Sequence, residues 1–367
     1  MRIVQASFIR PHHAEPDRLL EDWPTLLDIA AAVREAGVNV TLLQSFARNI
    51  VVERRGVICR FVAEPALPGA WSGMAPWRLA RAARQARPDV IHVNGLDFAA
   101  HTRAMTATRI PVLVQDHGSR VGHRRMRRRW GLVHIAGAAF TDAEQARTLV
   151  DERSLPSHVR LFSVPESSTH FTLGDHERAR AATGTSGDPL VLWVGRFDSN
   201  KDPLTILNAV EFAAPDLPNV HLWCCFHEEP LLKQVRARIG RSALLRERVH
   251  LLGKVPHETI EQLCRAADIF VAASRHEGSG YALIEALACG TPPVVSDIPS
   301  FRRLAGRVGV LARVGDPQSF AAALKHISAQ PRADLRRKVL DHFAADLSFA
   351  AIGRQLREAY ETLARVA

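Results

Sequence analysis

The sequence predicts an α/β protein of two doubly wound domains, each a parallel sheet covered by helices on both faces. Short apolar runs recur along the chain with amphipathic stretches between them, the pattern of buried strands joined by crossover helices. The runs lapse once, across residues 167–188 (SSTHFTLGDHERARAATGTSGD), and then resume. A chain of 367 residues that is 47% hydrophobic also suits two cores, at ~100–200 residues per domain.

In the first half the strand candidates are IVQASF, VNVTLL, GVICRFVA, DVIHVNG, PVLVQDHG, VHIAGAAF and VRLFSVP. Between them lie segments such as LLDIAAAVREAG, whose terminal glycine is a helix C-cap signal. After the lapse come PLVLWVGRF, NVHLWCCF, RVHLLGKV, DIFVAAS, PPVVSD and VGVLA. The last segment reads as one amphipathic helix with Phe349, Ile352, Leu356 and Tyr360 along a stripe. The expected domains are 1–170, 171–345 and a closing helix 346–367. Doubly wound sheets put their ligand crevice at the carboxyl ends of the strands, here expected in a cleft between the domains.

An excess of 48 Lys+Arg over 38 Asp+Glu gives a net charge of +10, suited to an acidic partner such as a nucleotide or an anionic membrane. Five cysteines without CxxC or Cys/His metal spacing read as buried free thiols. MRIVQASF enters a strand without the basic and apolar regions of a secretory signal, and no apolar run reaches the ~18–20 residues of a membrane span. The expected location is cytoplasmic.

In HEGSGYALIEALACG, residues 276–290, Glu277 and Glu285 stand eight positions apart. DIFVAAS ends a strand, Arg275 to Gly280 form a turn, and YALIEALAC forms a helix closed by Gly290, Pro292 and Pro293. Glu277 thus falls on the loop and Glu285 in the helix, with the helix N-terminus between them as a ready anion site. Gly278 and Gly280 allow close backbone approach there. Glu285 is the only charge in an otherwise apolar helix, which argues for a use beyond solvation. Carboxylates are good acceptors for vicinal sugar hydroxyls.

A second anion site is read in VLWVGRFDSNKDPLTIL, residues 191–207, a strand, a turn and a helix start flanked by Arg196 and Lys201. Two cations at the carboxyl end of a strand can neutralise a diphosphate. Arg196 could equally be one more surface charge in an arginine-rich chain. Lys201 is the first lysine in the sequence and is harder to dismiss as composition.

EGSGYALIEALACGTPPVV resembles the E-x7-E signature of the family 4 retaining glycosyltransferases of GT-B fold, and VGRFDSNKD is similar to that family's phosphate-binding segment. DVIHVNG and VLVQDHGS are similar to its acceptor-domain strands. The resemblance implies GT-B architecture and a hexosyltransferase that uses a UDP- or GDP-linked sugar as co-substrate, with no other cofactor. It implies that Glu277 contacts the donor sugar, Glu285 the ribose, and Arg196 and Lys201 the diphosphate, with amides near Gly278, Gly280, Tyr281 and Ala282 on the distal phosphate. His117 matches a histidine near the transferred sugar. Gly253, Val255 and the rest of GKVPH match the loop over which the base stacks, and the last helix is expected to cross back to the first domain.

Three departures stand out. SFIRPHHAEPDR, after the first strand, lacks the family's glycines; CCFHEEP replaces a glycine pair; and PESSTHF replaces an asparagine-glycine-valine-aspartate segment. The reading is transfer to an acceptor hydroxyl of a glycan, glycolipid or small molecule, with retention. No metal is called for, since cations and helix amides can carry the charge and no Asp-x-Asp pair is present. The alternatives are a nucleotide-sugar epimerase and a non-catalytic nucleotide-sugar-binding protein. Arg120–Arg129 holds six arginines in ten residues. It suits an anionic membrane face, a solvated helix or an anionic acceptor, and lacks the aromatic pattern expected for nucleic acid.

Overall fold

Strand-forming β-branched and aromatic runs pair in this chain into two sheets. The computed structural model describes residues 1–9, 15–64, 77–118 and 125–365. Residues 10–14 of the glycine-free loop and Arg120–Arg124 of the arginine run lie outside the described residues. The chain divides into two units, Met1–Ser168 with Phe349–Ala367, and Thr169–Ser348.

The first unit holds β1 (Arg2–Ser7), β2 (Asn39–Phe46), β3 (Ile50–Arg54), β4 (Val57–Ala63), β5 (Val90–Asn94), β6 (Val112–Gln115), β7 (Gly137–Phe140) and β8 (Arg160–Ser163). Their order is β3-β4-β2-β1-β5-β6-β7-β8, parallel except for β3. The second unit holds β9 (Leu190–Val194), β10 (His221–Cys225), β11 (Val249–Gly253), β12 (Ile269–Ala272), β13 (Pro293–Ser296) and β14 (Val310–Ala312), all parallel, in the order β11-β10-β9-β12-β13-β14. That is the doubly wound order in which strand succession reverses beside the first strand, here between β9 and β12.

Each sheet is buried on both faces, which is why its strands read as continuous apolar runs. The closing helix Phe349–Ala364 buries Ile352, Leu356 and Tyr360 in the core of the first unit. It lies close against the helix Pro24–Glu35, where a Cβ on Gly353 would stand 2.3 Å from the Ala32 carbonyl oxygen. All five cysteines are free and buried. Among the described residues no helix is long and apolar enough to cross a membrane.

Two elements differ from the sequence reading. β3 pairs antiparallel with β4 through a two-residue turn, in which Arg55 and Gly56 have φ of 51° and 73°, the signs a tight hairpin turn requires. The stretch expected to be irregular contains the helix His176–Thr183, closed by an Asp175 N-cap and by Gly184 in the left-handed region. This helix is anchored in the second unit, because His176 and Arg180 both bind the buried Asp268, at 3.1 and 2.5 Å.

Candidate active site

Strands β9 and β12 pair in register, Ile269 beside Val191, so the loops that follow them leave the sheet together at the point where strand order reverses. Asn200 locks these loops. Its Nδ2 donates to the His276 carbonyl at 2.9 Å, its Oδ1 accepts the His276 N–H at 3.0 Å, and its own carbonyl accepts the Arg275 N–H at 2.8 Å. Arg275 Nη2 then reaches Asp202 Oδ2 at 2.7 Å, and Asp202 caps the helix Pro203–Ala213.

The lock brings Lys201 to Glu277, 76 positions away, and their side chains form an ion pair. Ser274 Oγ donates to the same carboxylate at 3.4 Å. Arg196 lies between Asp198, at 3.2 Å, and Glu228, at 3.5 Å. The sequence offered two bare cations; in the folded site each already has a carboxylate partner. An anion entering here exchanges with those carboxylates.

These groups open onto a cavity of about 360 Å³ within the second unit, lined by Arg196, Lys201, Gly253, Val255, Glu277, Gly280, Tyr281 and Ala282 among others. Gly280, with φ of 69°, begins the helix Tyr281–Ala288, so first-turn amides face the cavity with the positive end of the helix dipole. A Cβ on Gly280 would stand 2.5 Å from Leu304 Cδ1, so glycine is required by both conformation and space. Gly278 sits in the same turn but outside the cavity lining. Phe226, from the CCFHEEP departure, forms part of the wall and stacks on Phe197 at 4.0 Å between ring centroids. An aromatic wall thus stands where the family has glycines.

Glu285 lies one helical turn further on, with its side chain only 14% exposed, and its Oε1 meets His257 Nε2 at 2.7 Å. Burial pushes the Glu285 carboxyl above the usual range, partly offset by the bond to His257. The His257 ring rests against Phe171 at 4.7 Å. Gly253 and Val255 line the cavity on the strand-end loop that leads to His257, and Gly253 has φ of 70°.

His117 belongs to the first unit, after β6. Its Nδ1 lies 2.9 Å from Oε2 of Glu166, a carboxylate only 5% exposed, and its Nε2 lies 3.4 Å from Asn94 Oδ1. Asn94 Nδ2 is buried without a hydrogen-bond partner among the described residues. Glu166 falls in the PESSTHF departure and was not singled out from sequence; a lone glutamate among small polar residues gives no signal of burial. Behind it, burial lowers His92 to about 3, aided by the nearby charge of His117, and His92 Nδ1 meets Tyr360 Oη at 2.7 Å.

Two doubly wound units, one with a crevice at its strand ends lined by cations and helix amides, define a protein of the GT-B class. A family model described as "Glycosyl transferases group 1" matches residues 188–330, and one described as "Glycosyltransferase Family 4" matches residues 25–150. The GDP-mannose:cellobiosyl-diphosphopolyprenol alpha-mannosyltransferase of Xanthomonas campestris is 27% identical over 291 residues, 75% of this chain and 74% of that protein. The D-inositol 3-phosphate glycosyltransferase of Geodermatophilus obscurus is 33% identical over 203 residues, 51% of this chain; the match spans 44% of that protein. Anabaena Alr3699/HepE, solved in complex with UDP, superposes with a TM-score of 0.71 at 16% identity, covering 99% of this chain and 100% of that one. A glycosyltransferase from Rickettsia africae gives a TM-score of 0.70 at 12% identity, with complete coverage of both chains. The chain belongs to the family 4 glycosyltransferases and has the GT-B fold.

Proposed function

We propose that this protein moves a hexosyl group from a nucleoside diphosphate sugar to an acceptor hydroxyl with retention of configuration and without a metal. The observation that carries the reading is the second unit's cavity, where Arg196, Lys201, Glu277 and a helix N-terminus converge. In this reading the diphosphate takes Lys201 from Glu277 and Arg196 from its two carboxylates. Cations and amides then stabilise the charge that develops on the departing phosphate. Released from Lys201, Glu277 accepts hydroxyls of the sugar. Glu285 accepts those of the ribose, and the base lies over the Gly253–Val255 loop. His117, paired through Nδ1 with Glu166, is the residue of the first unit to which this reading gives a part in the transfer. Attack from the face the phosphate leaves lets that phosphate accept the acceptor's proton.

The relatives favour a GDP- or UDP-linked donor, and the Xanthomonas enzyme's name carries both GDP-mannose and a diphosphopolyprenol-linked acceptor. A lipid-linked acceptor would bring the protein to the cytoplasmic face of a membrane. The described part of the arginine run fits such a contact. The helix Arg125–Leu132 exposes Arg127, Arg129, Met126 and Trp130, with Arg103 over the Trp130 ring at 5.9 Å. Arg128 is not available to it, being buried against Asp97 at 2.9 Å.

The test is a thermal-shift screen of UDP-, GDP- and ADP-sugars, followed by product analysis with the stabilising donor and an acceptor panel. Transfer with retained anomeric configuration is expected. Epimerised sugar formed without acceptor would identify an epimerase, and binding with neither hydrolysis nor transfer a non-catalytic protein.

A further inference from the structure

The first unit carries a second concavity, of about 370 Å³, between the β3–β4 hairpin and the helix Trp77–Gln85. Arg60, Arg78 and Arg81 all line it, and no carboxylate does among the described residues. The helix WRLARAARQ contains three arginines and no acid, with Leu79, Ala80, Ala82 and Ala83 buried and its arginines exposed. Arg60 lies directly opposite Val51, and Val62, two residues along β4, packs with Leu79 and Ala82, which puts Arg60 and Val51 on the helix side of the sheet. Arg78 donates to the Ala63 carbonyl at 3.3 Å; no ion pair joins Arg60, Arg78 or Arg81 to a carboxylate among the described residues. Glu64 is already engaged, accepting the Leu79 N–H at 2.6 Å.

Three guanidiniums lining one groove, with no carboxylate partner among the described residues, suit an anion with several acceptor oxygens, and phosphate matches their fork geometry. The surroundings make the ligand amphiphilic. Val51 is 64% exposed, Trp77 63% and Ile58 45%, three exposed apolar side chains beside the cationic groove, with Glu53 opposite Ile58 as the one acid on that face of the β3–β4 hairpin. Arginine beside an exposed tryptophan is the composition of an interfacial surface. Arg78 reaches the Ala63 carbonyl and the Leu79 N–H reaches Glu64, so the start of the helix lies at the carboxyl end of β4 and the groove opens at that edge of the sheet. It is four strand positions from β6 and His117, about 19 Å at ~4.8 Å per strand. A lipid held there leaves the strand ends near His117 clear.

We infer that this groove takes the phosphate headgroup of an anionic membrane lipid, with Val51, Ile58 and Trp77 against its apolar region. The inference rests on the lipid-contact reading above and adds a site outside the arginine run.

The test is flotation of the full chain with phosphatidylcholine vesicles, with and without phosphatidylglycerol. The variants are R60Q/R78Q/R81Q and, as a control of equal charge change on the second unit, R236Q/R241Q/R246Q. Wild type is expected to float only with the anionic lipid, and the groove variant to bind about a hundredfold more weakly, from about fivefold per basic residue. The control should lose little. All the substituted positions in the control, and Arg78 and Arg81, are exposed, and unchanged melting temperatures confirm that folding is intact. A wild type that does not float overturns the lipid-contact reading itself. If wild type floats while the groove variant matches it, or while the control loses as much, the groove assignment alone falls. Binding of inorganic phosphate or single-stranded RNA that depends on the three arginines, with vesicle binding unaffected, would also overturn it.

Discussion

Replacing Lys201 by Met removes the ammonium while keeping most of the stem, and the structure sets two consequences of different sign. Lys201 neutralises Glu277, whose side chain is only 17% exposed. Removing the cation leaves a half-buried carboxylate with Ser274 as a weaker partner, a loss of about 1–3 kcal/mol in stability. For binding, a cation about 4 Å from a phosphate gains roughly 4 kcal/mol at an effective dielectric near 20, and giving up Glu277 offsets about half of that. A net loss of about 2 kcal/mol is about thirtyfold in Kd for a nucleoside diphosphate. The double variant K201M/E277Q should recover the stability, since the stranded charge is gone, but not the affinity. Urea unfolding and calorimetric titration with UDP and GDP measure both arms. Affinity within about threefold of wild type in K201M would refute the diphosphate role. A double variant as unstable as the single would refute the stranded-carboxylate argument.

Two further predictions use other parts of the molecule. Gly280→Ala should cost about 2–4 kcal/mol in urea unfolding, because it adds a clash with buried Leu304 to left-handed strain, whereas Gly253→Ala, with no atom within 4 Å of its added Cβ, should cost only about 1 kcal/mol; equal losses would refute the packing argument. His92 is held near 3 by burial, below its ordinary 6.5, so the unfolded chain binds a proton that the folded one refuses, and stability is lost as pH falls from 6.5 toward 3, by about 1.4 kcal/mol per pH unit. His92→Gln, which can still bond Tyr360, should flatten this slope between pH 6.5 and 5, and parallel slopes for the two proteins would overturn the assignment.

The alternating elements were legible because both sheets are buried on both faces, which writes strands such as LVLWV and IFVA as unbroken apolar runs. β3 was not, because IVVER is an edge strand without a fully buried residue and carries no burial pattern. The helix His176–Thr183 hid in a polar stretch whose caps, Asp175 and Gly184, were the available signal. In the site, single residues could be chosen by local motif, but their pairing could not. Glu277 against Lys201 depends on Asn200 bridging two loops 76 positions apart, and His257 against Glu285 on a contact across 28. Glu166 was invisible for a related reason, since its burial follows from packing after β8 and not from its neighbours in sequence.

The pairing of Lys201 with Glu277 also gives a reason for a lysine, one of five in an arginine-rich chain, at this place. Both cations of the site have carboxylate partners, so the diphosphate recognition proposed above would be an exchange whose ease depends on how readily each cation lets go. An arginine facing Glu277 would hold it through a planar, two-pronged fork, whereas an ammonium on a flexible stem holds it as a point charge and can swing to a phosphate oxygen. On the proposed reading the same swing would free Glu277 for the sugar and couple leaving-group stabilisation to sugar recognition in one movement. Lys201→Arg therefore keeps the charge and the stability of the unliganded protein, yet should lose roughly tenfold in kcat/KM for a nucleotide sugar, about 1.4 kcal/mol. Most of that loss should vanish in K201R/E277Q when binding of the bare nucleoside diphosphate is measured, because there is then no carboxylate to surrender. Equal affinities for the nucleoside diphosphate in wild type and K201R would refute the exchange.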